Sequence, residues 1–118
     1  MKTTYYLQIA SDEVSNETIS DIIGVKSSYP DGAAFWNYLL NKDLDNITHI
    51  EKAVQLLVGK FELLSSCGIE RADISIWVYY EYDHQCNMEF NPLDLKLLGE
   101  NGITLCISCW ENDNPSME

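Results

Sequence analysis

Apolar and polar positions alternate in three long stretches of this chain and recur at helical spacing in three others. In residues 3–10, Tyr5, Leu7 and Ile9 alternate with Thr4, Tyr6 and Gln8, the two-residue period of a half-buried strand. In residues 72–82, Ile74, Ile76, Val78 and Tyr80 alternate with Asp73, Ser75, Trp77, Tyr79 and Glu81. Near the end, Ile103, Leu105, Ile107 and Cys109 alternate with Thr104, Cys106, Ser108 and Trp110. Residues 34–40 predict a further strand, although Phe35, Tyr38 and Leu39 also fit a helix. Residues 88–90 predict a short one, joined to its predecessor by the hairpin-length link Asp83-His84-Gln85-Cys86-Asn87.

The helical stretches carry their own start and stop signals. Ser15 is placed to cap a short helix with Glu17 in its first turn, Ile19, Ile22 and Ile23 as its stripe and Gly24 at its end. Ile47, Ile50, Val54, Leu57, Phe61 and Leu64 predict one long helix, with Thr48 and Glu51 as a capping box and Gly68 as the stop. Asn91-Pro92 starts a third helix, packed by Leu93, Leu97 and Leu98 and closed by Gly99. Tyr29-Pro30-Asp31-Gly32 predicts a turn, residues 43–46 a polar break and Asn101-Gly102 a second turn. The expected order is β-α-β-α-β-β-α-β. It implies an α+β two-layer sandwich: a mainly antiparallel sheet with the helices on one face. One domain is expected over residues 1–112, followed by a flexible acidic tail, 113–118.

Strand parity divides the sheet. If Tyr5, Leu7, Ile9, Ile74, Ile76, Val78, Ile103, Leu105 and Ile107 meet the helices, the other face carries Tyr6, Gln8, Asp73, Ser75, Trp77, Tyr79, Glu81, Thr104, Ser108 and Trp110. Such a face has three uses. It is a docking surface with aromatic anchors, a minor core under a loop or the tail, or a homodimer contact. Aromatic residues also stabilise strands with no partner at all.

Composition narrows the partner. Residues 72–118 hold nine carboxylates against one base, Lys96, and the whole chain of 118 residues carries a net charge of −12. This excludes DNA, RNA and anionic lipid as direct partners, because phosphate binding needs Lys and Arg. It leaves a basic protein partner, or charge that serves solubility alone. No apolar run is long enough for a bilayer, and the first residues lack a signal-peptide core, so a cytoplasmic protein is expected. Four cysteines there are expected to be free thiols. Cys106-Ile107-Ser108-Cys109 is a C-x-x-C, but mid-strand its thiols fall on opposite faces. With His84 and Cys86 it supplies four candidate zinc ligands, without the glycines and prolines of a zinc knuckle. His49 reads as a surface or capping residue, and His84 beside Asp83 as part of a polar link. No phosphate loop or catalytic constellation is present, so no cofactor, no metal and no enzyme activity are expected.

The first strand, then Ser11-Asp12-Glu13 and a helix ending Ile22-Ile23-Gly24-Val25, together with Trp36, residues 91–99 and a last strand finishing near Trp110, resemble a bacterial family, the domain-of-unknown-function 4279 family. Lys26-Ser27-Ser28 stands where that family tends to place proline. The resemblance implies a small cytosolic α+β protein, some relatives of which look like immunity proteins. It carries no catalytic residues with it. The expectation is therefore an acidic inhibitor that masks a basic toxin, such as a nuclease. Tyr6, Asp73, Trp77, Tyr79, Glu81, Asp83, Glu89, Trp110 and Glu111 are its expected contact residues. The alternatives are a phage-encoded inhibitor of a host nucleic-acid-binding defence complex and a small zinc or thiol domain built on His84, Cys86, Cys106 and Cys109.

Overall fold

The alternating stretches close into one mixed four-stranded sheet, in a computed structural model that describes residues 2–29, 34–41 and 46–112. The turn proposed over residues 30–32, most of the polar break at 43–46 and the tail 113–118 lie outside the described residues. β1 (Lys2–Ile9) runs antiparallel to β2 (Trp36–Leu39) on one side and to β3 (Ile74–Tyr82) on the other. β4 (Thr104–Glu111) pairs parallel with β3, giving the order β2-β1-β3-β4. Two of the three interfaces are antiparallel, as the alternation implied.

All four helices pack on one face. α1 (Asn16–Ile23), α2 (His49–Leu57), α3 (Phe61–Ser66) and α4 (Pro92–Asn101) bury Ile19, Ile23, Ile50, Leu57, Leu64 and Leu98 in the same core. That core receives Leu7, Ile9, Trp36, Ile74 and Ile76 from the sheet. Trp36 is fully buried, and its indole donates to Ser20 Oγ of α1 at 2.9 Å. The strand reading of this segment therefore prevails over the helical one.

Several expectations change. The long helix is two helices, because Val58 leaves helical geometry and Gly59 takes a positive φ of 81°. The apolar positions still face inward, and Lys60 at the break donates to the Ile23 carbonyl at the end of α1. The short strand at 88–90 is absent, and residues 85–90 form no regular structure. β3 has β1 on one edge and β4 on the other, so a hairpin partner has no slot. The chain instead crosses through α4 and returns parallel. Residues 71–73 form a 3-10 turn, so β3 begins at Ile74 rather than at 72. In α4, Gly99 lies inside the helix, Gly102 caps it, and Leu93 is exposed rather than packed. Ile107 also lacks its expected cover and is 47% exposed.

Two helix starts converge on one buried acid. Asn91 caps α4 by accepting the Asp94 N–H at 2.8 Å, and Thr48 caps α2 by accepting the Glu51 N–H at 3.1 Å. The Thr48 hydroxyl then donates to Asp94 Oδ1 at 2.9 Å, and Asn91 Nδ2 donates to Asp94 Oδ2 at 3.1 Å. Asp94 is only 5% exposed, yet both its oxygens are satisfied, and both helices present their positive ends near it. Replacing Thr48 by Ala removes a cap and a donor to this carboxylate. A loss of about 1–2 kcal/mol is expected, read as a lower urea midpoint at unchanged slope. Thr48→Ser should restore most of it.

Candidate protein-interaction face

The side of the sheet away from the helices is built by pleat parity. β2 contributes Asn37 and Leu39, β1 Thr4, Tyr6 and Gln8, β3 Ser75, Trp77, Tyr79 and Glu81, and β4 Thr104, Cys106, Ser108 and Trp110. None of these residues is fully buried. Of the opposite parity, Leu7, Ile9, Ile74, Ile76 and Val78 are buried.

An aromatic row crosses this open face. Tyr29 stacks on Tyr6 with ring centroids 5.7 Å apart, Tyr6 meets Tyr79 edge-on at 5.9 Å, and Tyr79 stacks with Trp77 at 5.9 Å. Edge-on and offset contacts of this kind suit the quadrupole of each ring. Hydrogen bonds hold the row in place. The Trp77 indole donates to Ser75 Oγ at 3.1 Å, and Gln8 Nε2 donates to Asn37 Oδ1 at 3.2 Å. A side-chain hydrogen bond with Tyr29, aided by burial, pushes the Tyr6 phenol up to about 12, so it stays protonated. Trp110 is 46% exposed and lies beside Glu81 in register.

Tyr29 reaches the row because residues 27–29 run along β2. Ser28 N–H donates to the Asn37 carbonyl at 2.7 Å, and Leu39 N–H donates to Ser28 Oγ at 2.8 Å. Composition alone did not reveal this member of the cluster, since Tyr29 sits in a predicted turn.

The acids divide. Glu81 shares the face with Tyr6, Trp77, Tyr79 and Trp110, and register sets it across from Lys2. Asp73 closes the 3-10 turn by accepting the Glu70 N–H at 2.9 Å. Asp83 follows β3, with one buried carboxylate oxygen that has no hydrogen-bond partner among the described residues. Glu111 has the opposite pleat parity, beside Tyr82. Glu89 lies on the helix side, in a cleft of about 170 Å³ shared with Tyr5, His49 and Asp94. The open face is thus aromatic at its centre, with much of the acid at its ends or beyond it.

The zinc alternative needs His84, Cys86, Cys106 and Cys109 together. Pleating sends Cys106 and Cys109 to opposite faces, and no group of three potential ligands forms among the described residues. Cys86 instead pairs with Cys109, whose thiol hydrogen bond holds Cys86 above its ordinary pKa. The Tyr5 and His49 rings stack at 4.0 Å beside the Asp94 clamp, a meeting that no sequence spacing announces.

No family model, curated protein or solved structure matches this chain, so the resemblance to the domain-of-unknown-function 4279 family rests on the residues quoted for it.

Burial lowers the His49 pKa below its ordinary 6.5, while Asp94 pulls it the other way. The unfolded chain then takes up a proton near pH 6.5 that the native chain resists, so this group subtracts stability as pH falls through 6.5. His49→Phe keeps a ring against Tyr5 and removes the titration. The fall in Tm between about pH 7.5 and about pH 5.5 should be smaller in that variant than in the parent.

Proposed function

We propose that the chain is an immunity-type inhibitor, a binding protein that docks on a basic protein domain and masks its active or nucleic-acid-binding surface. The observation that carries this reading is the row of Tyr6, Tyr79 and Trp77 on a sheet face that the helices leave open, in a chain of net charge −12. Each part has a physical use. Long-range charge raises the encounter rate with a Lys- and Arg-rich domain. At contact, half-buried rings already held by their neighbours lose little side-chain freedom, and their faces accept guanidinium groups. Glu81 supplies a carboxylate among them. A nuclease toxin fits this chemistry, because the cations that hold phosphate are the ones an acidic aromatic face would cover.

The test is co-expression with the product of the adjoining gene, assayed as a nuclease. A stoichiometric complex with loss of nuclease activity is expected. Its association rate should fall at least about tenfold between about 50 mM and about 500 mM salt. Trp77→Ala combined with Tyr79→Ala should weaken binding at least about a hundredfold, with the circular dichroism spectrum unchanged. Full protection by that folded variant would overturn this choice of face.

A further inference from the structure

Two of the four cysteines meet, and they are not the pair of the C-x-x-C motif. Cys86 and Cys109 are both exposed, and their thiols share a hydrogen bond. Topology brings them together. β4 runs parallel to β3, so both strands finish at the same end of the sheet, where Asn112 N–H donates to the Tyr82 carbonyl at 2.7 Å. From Tyr82 the chain must cross to α4 on the helix side, and residues 83–91 make that crossing. Cys109 lies opposite the buried Tyr80 in register, so it has the helix-side parity. The crossing link passes it, and Cys86 is the residue that makes contact. Cys67 follows α3, and Cys106 has the open-face parity, so neither shares this contact. Two cysteines whose side chains point apart cannot be bridged without moving backbone, and this pair already points together. Cys86 also sits in a segment with no regular structure, which can take up the adjustment that a bond requires.

We infer that Cys86 and Cys109 form a redox-active dithiol, which closes to an intramolecular disulfide by exchange with a low-molecular-weight disulfide such as oxidised glutathione. The thiolate of one cysteine attacks a sulfur of the small disulfide, giving a mixed disulfide and expelling one small thiolate. The thiolate of the other cysteine attacks the protein sulfur of that mixed disulfide and expels the second. The protein loses two S–H bonds and gains one S–S bond. The two protons and two electrons leave with the two small thiols. The second step is fast because the resolving thiol already stands beside its target. Exposure of both residues gives the small disulfide access. The bond would act on a weakly held part of the fold. β4 is an edge strand paired with β3 alone, and α4 is the crossover that returns it. A link from residue 86 to residue 109 closes a loop around α4 and most of β4, and so restricts the unfolded chain. It lies on the helix side of β4, away from the aromatic row, and so stands apart from the proposed binding role.

Oxidation of the full chain with excess oxidised glutathione, followed by alkylation, digestion and mass spectrometry, tests it. The product expected is a single 13.5 kDa chain in which the peptides of Cys86 and Cys109 are joined, with Cys67 and Cys106 outside the link. Its Tm should lie at least about 5 °C above that of the reduced protein, and dithiothreitol should reverse the rise. Cys86→Ser and Cys109→Ser, at exposed sites, should each lose the link and the rise in Tm, and should retain glutathione on the remaining partner sulfur. Cys106→Ser should leave both link and rise intact. Alkylation of both Cys86 and Cys109 in the oxidised parent overturns the inference. So does a link that uses Cys106, a disulfide between two chains, or an oxidised form that melts below the reduced one.

Discussion

The pairing of β1 with β3 is the constraint on which the other features rest. Eight consecutive partners, from Lys2 with Glu81 to Ile9 with Ile74, set the two strands in a single register. Opposed residues point the same way, so Leu7 with Ile76 and Ile9 with Ile74 make the dry side. Tyr6 with Trp77 and Thr4 with Tyr79 make the wet one. A slip of one residue would exchange the two sets and send the aliphatic residues into water. The aromatic row is therefore a by-product of the register that builds the core. Its components cannot move to the other side without dissolving the hydrophobic layer.

The parallel return of β4 imposes the second constraint. A parallel neighbour for β3 requires a crossover, and α4 is that crossover. The helix must be pinned where it enters, and the Asp94 carboxylate does this by joining its own cap, Asn91, to the cap of α2, Thr48. A buried carboxylate with both oxygens hydrogen-bonded fixes a relative position more sharply than apolar contact does. The same clamp brings Tyr5 and His49 together and gives that ring pair its environment.

Local periodicity was legible in the sequence wherever one element answered to one face. Ser15, Thr48 and Asn91 cap where their side chains imply and Gly24 where its freedom to take a positive φ implies, because a cap depends on neighbours three or four residues away. Parity of β1 and β3 likewise placed Tyr6, Trp77 and Tyr79 on one surface. What escaped depends on distant partners. The apolar spacing across Leu57 and Phe61 is the same whether or not Gly59 breaks the helix, so a change of direction left no mark. The strand expected at residues 88–90 fails because its slot is filled by residues that come later in the chain. Tyr29 joins the aromatic row through Ser28, whose bonds to β2 no short-range pattern contains. Among the acids, charge counting could not tell that Asp73 closes a turn or that Glu111 has the other parity.

The cover that Ser27 and Ser28 lay along β2 limits how far the sheet can extend. A sheet with two bare edges can add copies at both ends without limit, which is the geometry of a fibre. Here one margin is already occupied by the chain itself. Among the described residues, the outer side of β4 is the margin that no backbone hydrogen bond reaches. Two serines beside a four-residue strand thus close the β2 margin of the sheet to lateral growth.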